Sequence, residues 1–307
     1  MRRHNRVEQP ACMLAVCVKA SKKSSLTMRL QCGSRMLDLS SPVVMGVLNI
    51  TPDSFSDGGN FLDPQRAIDR AAQMIAEGAA IIDVGGESTR PGAKLVTVAE
   101  ELQRVVPVID AICRRHDVLV SVDTSKPEVM HAAVAAGAGL INDIRALTQP
   151  DALQAVAASN AAVCLMHMQG QPADMQTAPA YDDVVAEVSR YLRERVDACV
   201  QAGIARERIA IDPGIGFGKT TTHNLALLAQ LPALHQLQLP LLIGVSRKSL
   251  IGAVLAQPVS QRMHGGLALA TAAVLSGAKI IRTHDVAATC DAVRMAHALR
   301  EAGYIAT

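Results

Sequence analysis

Short apolar runs recur along the chain, and each ends in a polar or charged side chain before turn residues lead into a helical pattern. The runs are rich in Val, Ile and Leu, which is typical of parallel strands buried on both faces. Amphipathic stretches with the helical period separate them. The pattern predicts eight strands, near residues 43–49, 80–85, 118–123, 139–143, 162–167, 208–212, 241–245 and 279–283.

Eight strands that alternate with helices predict an α/β protein with a single-domain TIM (β/α)8 barrel. The 307 residues exceed the about 250 of a typical barrel by too little for a second large domain. Residues 29–42 are predicted to form a short N-terminal hairpin or cap that closes one mouth. Residues 1–27, with a basic start and a short apolar stretch, are predicted to be a disordered extension, and residues 28–307 the catalytic barrel domain.

Composition agrees with this fold and excludes several partners. Half of the residues are hydrophobic but only 2% are aromatic, which predicts a core of Ala, Val, Leu and Ile. The net charge is +2 and the basic residues are scattered, so we expect neither nucleic acid nor a membrane as partner. The seven cysteines form no CxxC pair and are odd in number, which favours a reducing cytoplasm over a disulfide or zinc framework.

The polar residues at the strand ends are the candidate site, because the active face of a TIM barrel lies at the carboxyl ends of its strands. Asn49 either caps the following turn or offers a neutral oxygen to Mg²⁺ or a donor to phosphate. Asp123 shares a strand face with Ser121 and is either a helix N-cap or a buried carboxylate that meets ligand donors. Neighbouring strand residues point to opposite faces, so we expect Asn142 to face the ligand and Asp143 to support it.

The segment IDPGIGFGKT, residues 211–220, contains a Gly-Lys-Thr triplet after a strand. It is not a Walker-type phosphate loop, because Pro213 stands where the first glycine must be. We interpret the glycines as letting the backbone pass close to a bound ligand, with Asp212 as a fixed acceptor. Phe217 is interpreted as an exposed wall for an aromatic ligand, and the alternative is a core residue.

Basic residues follow the last two predicted strands. Arg247 and Lys248 lie together at one strand end, and we expect Lys248 to reach into the barrel mouth. Arg282 and His284 share a face of the last strand beside the start of the last helix, which favours an anion site, although His284 alone would more often be a packed histidine. An acidic and amide pocket beside a basic rim suits a ligand with many N–H donors and a phosphate or pyrophosphate.

Motifs along nearly the whole chain from Met28 resemble those of the dihydropteroate synthase family: VMGVLNITPDSFSDGG, IIDVGGESTRPGA, SVDTSKP, INDI, CLMHMQG, IDPGIGFGKT, GVSRKSLIG and IIRTHDV. The resemblance implies a transferase of folate biosynthesis that joins p-aminobenzoate to 6-hydroxymethyl-7,8-dihydropterin pyrophosphate with Mg²⁺. It also implies a homodimer and a target of sulfonamides.

The resemblance further implies roles for individual residues. The pterin ring would be held by four polar residues, Asp123, Asn142, Asp212 and Lys248. Pyrophosphate would be bound by residues of the second loop and the last strand, namely Thr89, Arg90, Arg282, Thr283 and His284. The p-aminobenzoate slot would be formed by Phe217, Pro91 and Ser246. Asn49 would meet the magnesium, and the catalytic residues would be Asp123, Lys248 and Asn49.

Two other functions are compatible with a pterin-binding barrel. A folate-binding methyltransferase shares the fold and pocket but passes a methyl group to a corrinoid partner, and it does not need the pyrophosphate-binding residues. A non-catalytic paralogue should have lost Asn49, Arg282 or His284, yet all three remain. The sequence therefore favours the synthase.

Overall fold

The computed structural model describes residues 28–51, 64–88, 95–171 and 174–304. Residues 1–27, which the sequence predicts to be a disordered extension, lie outside this part of the chain. Within it, the first elements are two short strands, β1 (Arg29–Cys32) and β2 (Arg35–Asp38), which pair antiparallel as a hairpin.

Eight parallel strands follow and form the barrel: β3 (Val43–Asn49), β4 (Ile81–Gly85), β5 (Leu119–Asp123), β6 (Leu140–Asp143), β7 (Ala162–Met166), β8 (Ile209–Asp212), β9 (Leu242–Gly244) and β10 (Ile280–Thr283). They neighbour one another in chain order, and β10 pairs with β3. A bridge between Ile211 and Leu241 joins β8 to β9 and closes the ring. The predicted TIM barrel and its eight strands are confirmed, with ends that differ by at most one residue.

Helices surround the barrel and cover its outer face: α1 (Pro64–Ala76), α2 (Val98–Arg115), α3 (Pro127–Ala135), α4 (Ala152–Ala157), α5 (Val184–Gln201), α6 (Thr221–Ala229), α7 (Ser249–Leu255), α8 (Met263–Leu275) and α9 (Val286–Glu301). The start of α2 is fixed by a capping box in which Thr97 and Glu100 bond each other's backbone N–H groups. Among the helices of the described residues, none has the length and apolar character needed to span a membrane.

The N-terminal mouth of the barrel is plugged by the β1–β2 hairpin. Leu30, Cys32 and Leu39 are fully buried against the first inward residues of the strands, among them Met45 and Ile81. The backbone N–H of Gly33 donates to the Asn160 carbonyl at 2.9 Å and ties the hairpin turn to the barrel rim. The predicted N-terminal cap is therefore confirmed.

Side chains that point into the barrel change character along each strand. The first inward position is apolar, as in Ile81 of β4 and Ile280 of β10, and these side chains belong to the cluster beneath the plug. Two residues later the same faces carry Asp83 and Arg282. Alternation of side chains along a strand thus places charged groups directly above an apolar floor, towards the C-terminal mouth.

Candidate active site

Strand register brings the first group of predicted site residues to one level. Gly85 of β4 lies beside Asn49 of β3 and beside Asp123 of β5, and Asp123 lies beside Asn142 of β6. A Cβ atom on Gly85 would lie 3.5 Å from the Asn49 side-chain oxygen and 3.4 Å from the Asp123 Cβ. The glycine therefore leaves space between these two polar side chains at the C-terminal mouth.

Arg282 connects two carboxylates across the barrel. Its Nε donates to Asp83 Oδ2 at 2.7 Å, and its Nη2 donates to Asp123 Oδ2 at 2.6 Å. The Asn142 amide also donates to Asp83 Oδ2, at 3.1 Å. Gly244 lies beside Arg282 in the sheet, where a Cβ would be 3.8 Å from the arginine Cβ, so the guanidinium has room to lie across the mouth.

The charges in this cluster do not balance, because two carboxylates share one guanidinium. Burial raises the pKa of Asp123 to about 7, although Arg282 opposes the rise, and Asp83 adds to it. In turn, the Asp83 and Asp123 carboxylates raise the pKa of Arg282 against the effect of its burial. The pocket therefore favours a ligand that brings N–H donors or positive charge.

Asp212 and Lys248 form the opposite wall. Asp212 is buried, which raises its pKa, and its Oδ1 accepts a 2.7 Å hydrogen bond from the Gly214 N–H. Burial lowers the pKa of Lys248 to about 8, although the Asp212 carboxylate opposes this shift. The Lys248 ammonium lies 4.1 Å from the centroid of the half-buried Phe217 ring. Lys248 thus reaches the mouth as the sequence predicts, and Phe217 forms part of its surroundings rather than the core.

Asp143, the last residue of β6, faces outward and supports the site from behind. Asp143 accepts hydrogen bonds from the N–H groups of Arg145 at 2.8 Å and Leu147 at 2.7 Å, and it also bonds the Ser125 hydroxyl. Asn142 faces inward, so the two neighbours lie as predicted. Asp123 is not a helix cap, because the N-cap position of α3 is Lys126 and, among the described residues, no side chain bonds the N–H groups of its first turn.

The ends of β9 and β10 meet through Ser246 and His284. The Ser246 hydroxyl lies 3.2 Å from both the backbone N and the Nδ1 of His284. Arg247 is exposed and pairs with Asp285 at 2.6 Å instead of entering the mouth. The structure does not bring Thr283 into the cluster, because its buried hydroxyl faces Thr289 at 3.0 Å and accepts from the Asp285 N–H at 3.1 Å.

Thr89, Arg90 and Pro91 lie outside the described residues. The backbone just before them is anchored by Glu87, whose carboxylate and that of the buried Glu101 both bond the Lys126 ammonium, each at 2.5 Å. Glu87 also accepts from the Val96 N–H at 3.2 Å. Its carboxylate thus connects the strand end to the start of α2.

Reasoning from the sequence missed Asp83 and Lys219. Asp83 is the one charged residue in the apolar run IIDVG, and alternation already places it on the inward face with Gly85. Lys219 is buried, although it is a charged residue at the end of the glycine-rich loop after β8.

The interpretation of those glycines as a close approach to ligand is wrong for two of them. A Cβ would lie 1.9 Å from the His167 carbonyl oxygen at Gly214, and 2.3 Å from the Gln169 carbonyl oxygen at Gly218. These two glycines let the loop after β8 pack directly on the backbone of the loop after β7.

Comparison with known proteins identifies the family of this chain. The family of pterin binding enzymes matches residues 45–284. The chain is 56% identical to the dihydropteroate synthase of Escherichia coli (strain K12) over 271 residues, which is 88% of this chain and 96% of the relative.

Two solved structures, each 51% identical in sequence, are also similar in fold. A Yersinia pestis dihydropteroate synthase with a sulfonamide drug complex has a TM-score of 0.85, with 89% of this chain and 99% of that chain covered. The Xanthomonas albilineans dihydropteroate synthase with 4-aminobenzoic acid has a TM-score of 0.84, with 89% and 98% covered. This chain therefore belongs to the dihydropteroate synthase family of pterin-binding enzymes.

Proposed function

We propose that this chain joins p-aminobenzoate to 6-hydroxymethyl-7,8-dihydropterin pyrophosphate and forms 7,8-dihydropteroate and pyrophosphate. The C–O bond between the pterin methylene and the pyrophosphate breaks, and its electron pair leaves with the pyrophosphate. The amino nitrogen of p-aminobenzoate forms the new C–N bond and loses a proton. The observation that carries the proposal is the Asp83–Arg282–Asp123 cluster at the C-terminal mouth, with Asn142 bonded to it.

Recognition of the pterin follows from the distribution of acceptors. Arg282 occupies Asp123 Oδ2, so Oδ1 is the oxygen left to accept an N–H from the amino-pyrimidinone edge. Asp212 supplies a second carboxylate acceptor. The Gly214 N–H fixes its Oδ1, so Oδ2 is the oxygen left for the ligand. Lys248 supplies the matching donor for a ring nitrogen or carbonyl. Together with Asn142, these groups form a pocket of acceptors with one donor.

Departure of the pyrophosphate is helped by charge on both sides of the breaking bond. The excess negative charge of Asp83 and Asp123 favours positive charge that develops on the pterin methylene. Arg282 and His284, with Thr89 and Arg90, would hold the leaving oxygens. Asp123 and Arg282 are already in contact, so the guanidinium can exchange one donor from Asp123 to the phosphate while its Nε stays on Asp83.

Asn49 fits the magnesium that this family is expected to use. Its neutral oxygen faces the space beside Gly85, and Asp123 Oδ2 is 3.8 Å from the Cβ position of that glycine. The described residues contain no group of three His, Cys, Asp or Glu that could hold a metal alone, and Mg²⁺ commonly binds through one or two protein oxygens plus substrate phosphates. When bound there, it would neutralise charge on the leaving pyrophosphate.

The nucleophile needs orientation rather than activation, since an aromatic amine is already neutral at pH 7. Phe217 and Pro91, with Ser246 at the rim, would hold its ring in line with the breaking bond. Ser246 bonds His284, so the p-aminobenzoate slot and the pyrophosphate site share a wall. By this proposal sulfonamides, which resemble p-aminobenzoate, compete for the same slot.

We also propose that the protein works as a homodimer in the cytoplasm. Leu255, Val259 and Met263 are exposed apolar residues that line one surface groove of about 560 Å³ next to α8. Exposed apolar surface of this kind is typical of an association site. Light scattering on the purified protein tests the dimer, and Val259→Glu should shift it towards the monomer.

The first test is an assay of purified protein with the pterin pyrophosphate, magnesium and p-aminobenzoate, following both pyrophosphate and dihydropteroate. Product that requires both substrates supports the synthase. Tight pterin binding without product would contradict it and favour a folate-binding methyltransferase or a non-catalytic paralogue. Release of pyrophosphate without p-aminobenzoate would show hydrolysis instead of transfer.

A further inference from the structure

Lys219 is a buried lysine whose hydrogen-bond partners, among the residues that the structure describes, are all neutral. Its side chain is 2% exposed. Its Nζ lies 2.9 Å from His167 Nδ1, 3.0 Å from the Gly214 carbonyl oxygen and 2.9 Å from the Phe217 carbonyl oxygen, with the His167 carbonyl oxygen further away at 3.3 Å. Burial lowers the pKa of Lys219 to about 7, although the Asp212 carboxylate opposes this shift. In the ammonium form, its three N–H groups match the three shorter contacts. Burial of such a group is costly, and these hydrogen bonds offset the cost.

His167 completes this arrangement as a neutral acceptor. Burial, with the nearby Lys219 charge, lowers the pKa of His167 to about 3, so at pH 7 its ring is neutral and Nδ1 can accept from the ammonium. The ring packs edge-on against Tyr191, with centroids 4.9 Å apart. His167 follows the last residue of β7, so Lys219 joins the end of that strand to the loop after β8.

The loop after β8, residues 213–219, is held by side chains at several of its carbonyl groups. Lys219 bonds those of Gly214 and Phe217, and the Tyr181 hydroxyl donates to that of Gly218 at 2.7 Å. The Gln176 amide donates to that of Gly216 at 2.7 Å. Because Gly214 and Gly218 also pack on the backbone of the neighbouring loop, the segment has little freedom to shift.

What this loop presents to the mouth is Phe217. The Lys248 ammonium lies over its ring at 4.1 Å, and a Cβ on Gly216 would be 3.1 Å from Lys248 Cδ. Lys219 bonds the carbonyl of Phe217 itself, so it determines where the ring stands relative to Lys248. Both side chains are assigned to substrate in the proposed function, and the inference rests on it.

We propose that Lys219 is a positioning residue that, through Phe217, sets the shape of the p-aminobenzoate slot without touching either substrate. Its Nζ bonds two carbonyl oxygens of its own loop, those of Gly214 and Phe217, and ties them to His167 at the end of β7. Removal of the ammonium should leave the pterin acceptors Asp123 and Asn142 in place, because they lie on β5 and β6. Asp212 should also stay in place, because it ends β8 and its carbonyl accepts from the His167 N–H at 3.0 Å. The affinity for p-aminobenzoate should fall while the affinity for pterin pyrophosphate is retained.

Lys219→Met tests this, because methionine keeps most of the length and the apolar volume of the side chain but has no donor. We expect the KM for p-aminobenzoate to rise by about tenfold or more, as for the loss of one to two hydrogen bonds, with the KM for pterin pyrophosphate changed by less than about twofold. Lys279→Met is the matched control, since Lys279 is half-buried near the plugged mouth and bonds the Ser40 carbonyl at 3.4 Å. It should leave both KM values unchanged.

Chemical rescue separates positioning from general loss of structure. Lys219→Ala should recover p-aminobenzoate affinity with ethylammonium in the buffer, but not with tetramethylammonium, which has no N–H donor. Equal rises in both KM values, an unchanged p-aminobenzoate KM in a folded Lys219→Met, or the absence of rescue would overturn the proposal.

Calorimetric titration of p-aminobenzoate in the presence of pterin and pyrophosphate keeps this test independent of turnover. Wild-type protein that binds p-aminobenzoate but forms no product would defeat the synthase function alone, and Lys219→Met would then still be compared by its Kd. Wild-type protein that binds no p-aminobenzoate would overturn both proposals.

Discussion

The two mouths of the barrel are built from the same strands but are closed by opposite means. At the N-terminal mouth, Leu30 and Leu39 of the hairpin segment pack on an apolar floor and are fully buried. At the C-terminal mouth, Asp83, Asp123 and Arg282 lie inside the barrel with their charges only partly compensated. The N-terminal mouth contributes stability through burial of apolar surface. The C-terminal mouth holds charges that are fully compensated only when a ligand binds.

A shift of two residues along one strand is enough to separate a side chain that stabilises the fold from one that takes part in the proposed chemistry. Ile81 and Asp83 are two residues apart on one inward face, yet the first belongs to the apolar floor and the second to the charged cluster. The apolar floor excludes water from below, which strengthens the electrostatic interactions above it. Substitutions at the two mouths should therefore have opposite profiles in stability and activity.

The largest effect should follow Arg282→Met. This change leaves Asp83 and Asp123 buried without their shared cation and removes a group that meets the leaving pyrophosphate. We expect turnover to fall by about 10²–10³-fold, the usual result of losing one charge-stabilising donor. Steady-state kinetics measures this, and a variant with near-normal turnover would remove Arg282 from the proposed mechanism.

Asp123→Asn should lower turnover strongly while stability changes little or rises. The substitution removes one of two carboxylates that share a guanidinium, so the cluster becomes balanced in charge, but the group that favours the reacting cation is lost. Asp143→Asn on the outward face of the next strand is the matched control. It should instead lower the melting temperature, because Asp143 holds the N–H groups of Arg145 and Leu147. A fall in stability in both variants would contradict the assignment of Asp123 to chemistry and Asp143 to stability.

At the plugged mouth, Leu30→Ala should have the reverse profile. Loss of a fully buried leucine from the plug is expected to destabilise the protein by about 2–5 kcal/mol, with kcat unchanged in the folded enzyme. Met36→Ala in the same hairpin is the control, because Met36 is 50% exposed. Denaturant unfolding with parallel assays compares them, and a kcat that falls with Leu30→Ala would show that the two mouths are coupled.

The pH dependence of kcat/KM for the pterin substrate should be bell-shaped with a narrow top. Asp123, with a pKa of about 7, must lose its proton to act on the cation, so activity rises as pH increases through that value. Lys248, with a pKa of about 8, must keep its proton to donate, so activity falls at higher pH. Lys248→Arg should move the falling limb to higher pH, and a limb that stays in place would have another origin.

The smallest effect should come from a chain that starts at Met28. It keeps the whole plug, including Leu30, Cys32 and Leu39, so the N-terminal mouth remains closed. We expect the melting temperature and activity to match those of the full chain within experimental error. Calorimetry on both chains checks this, and a clear loss of stability would show that residues 1–27 contribute to the closed mouth.

Local pattern was sufficient for the strands, the hairpin and the inward direction of Asn142, because each depends on hydrophobic period or side-chain alternation within a few residues. The Arg282 pairs with Asp83 and Asp123 could not be predicted in this way, since they join positions 199 and 159 residues apart across the barrel. Lys219 was missed because most of its partners are backbone oxygens, which no residue type reveals, and its one side-chain partner, His167, lies 52 residues away. Thr283 was assigned to the pyrophosphate site because its neighbours in the motif, Arg282 and His284, are assigned there. Side-chain alternation predicts instead that Thr283 and Arg282 point to opposite faces of the strand.

The closure between β8 and β9 has a consequence for how the barrel moves. Other neighbouring strands share three or more paired residues, whereas this seam has one bridge, between Ile211 and Leu241, with a 2.9 Å bond from the Ile211 N–H to the Pro240 carbonyl. Amide hydrogens at the seam should exchange with solvent sooner than those of β4 and β5. The barrel thus has a preferred line of opening, and Asp212, at the end of β8, lies along it.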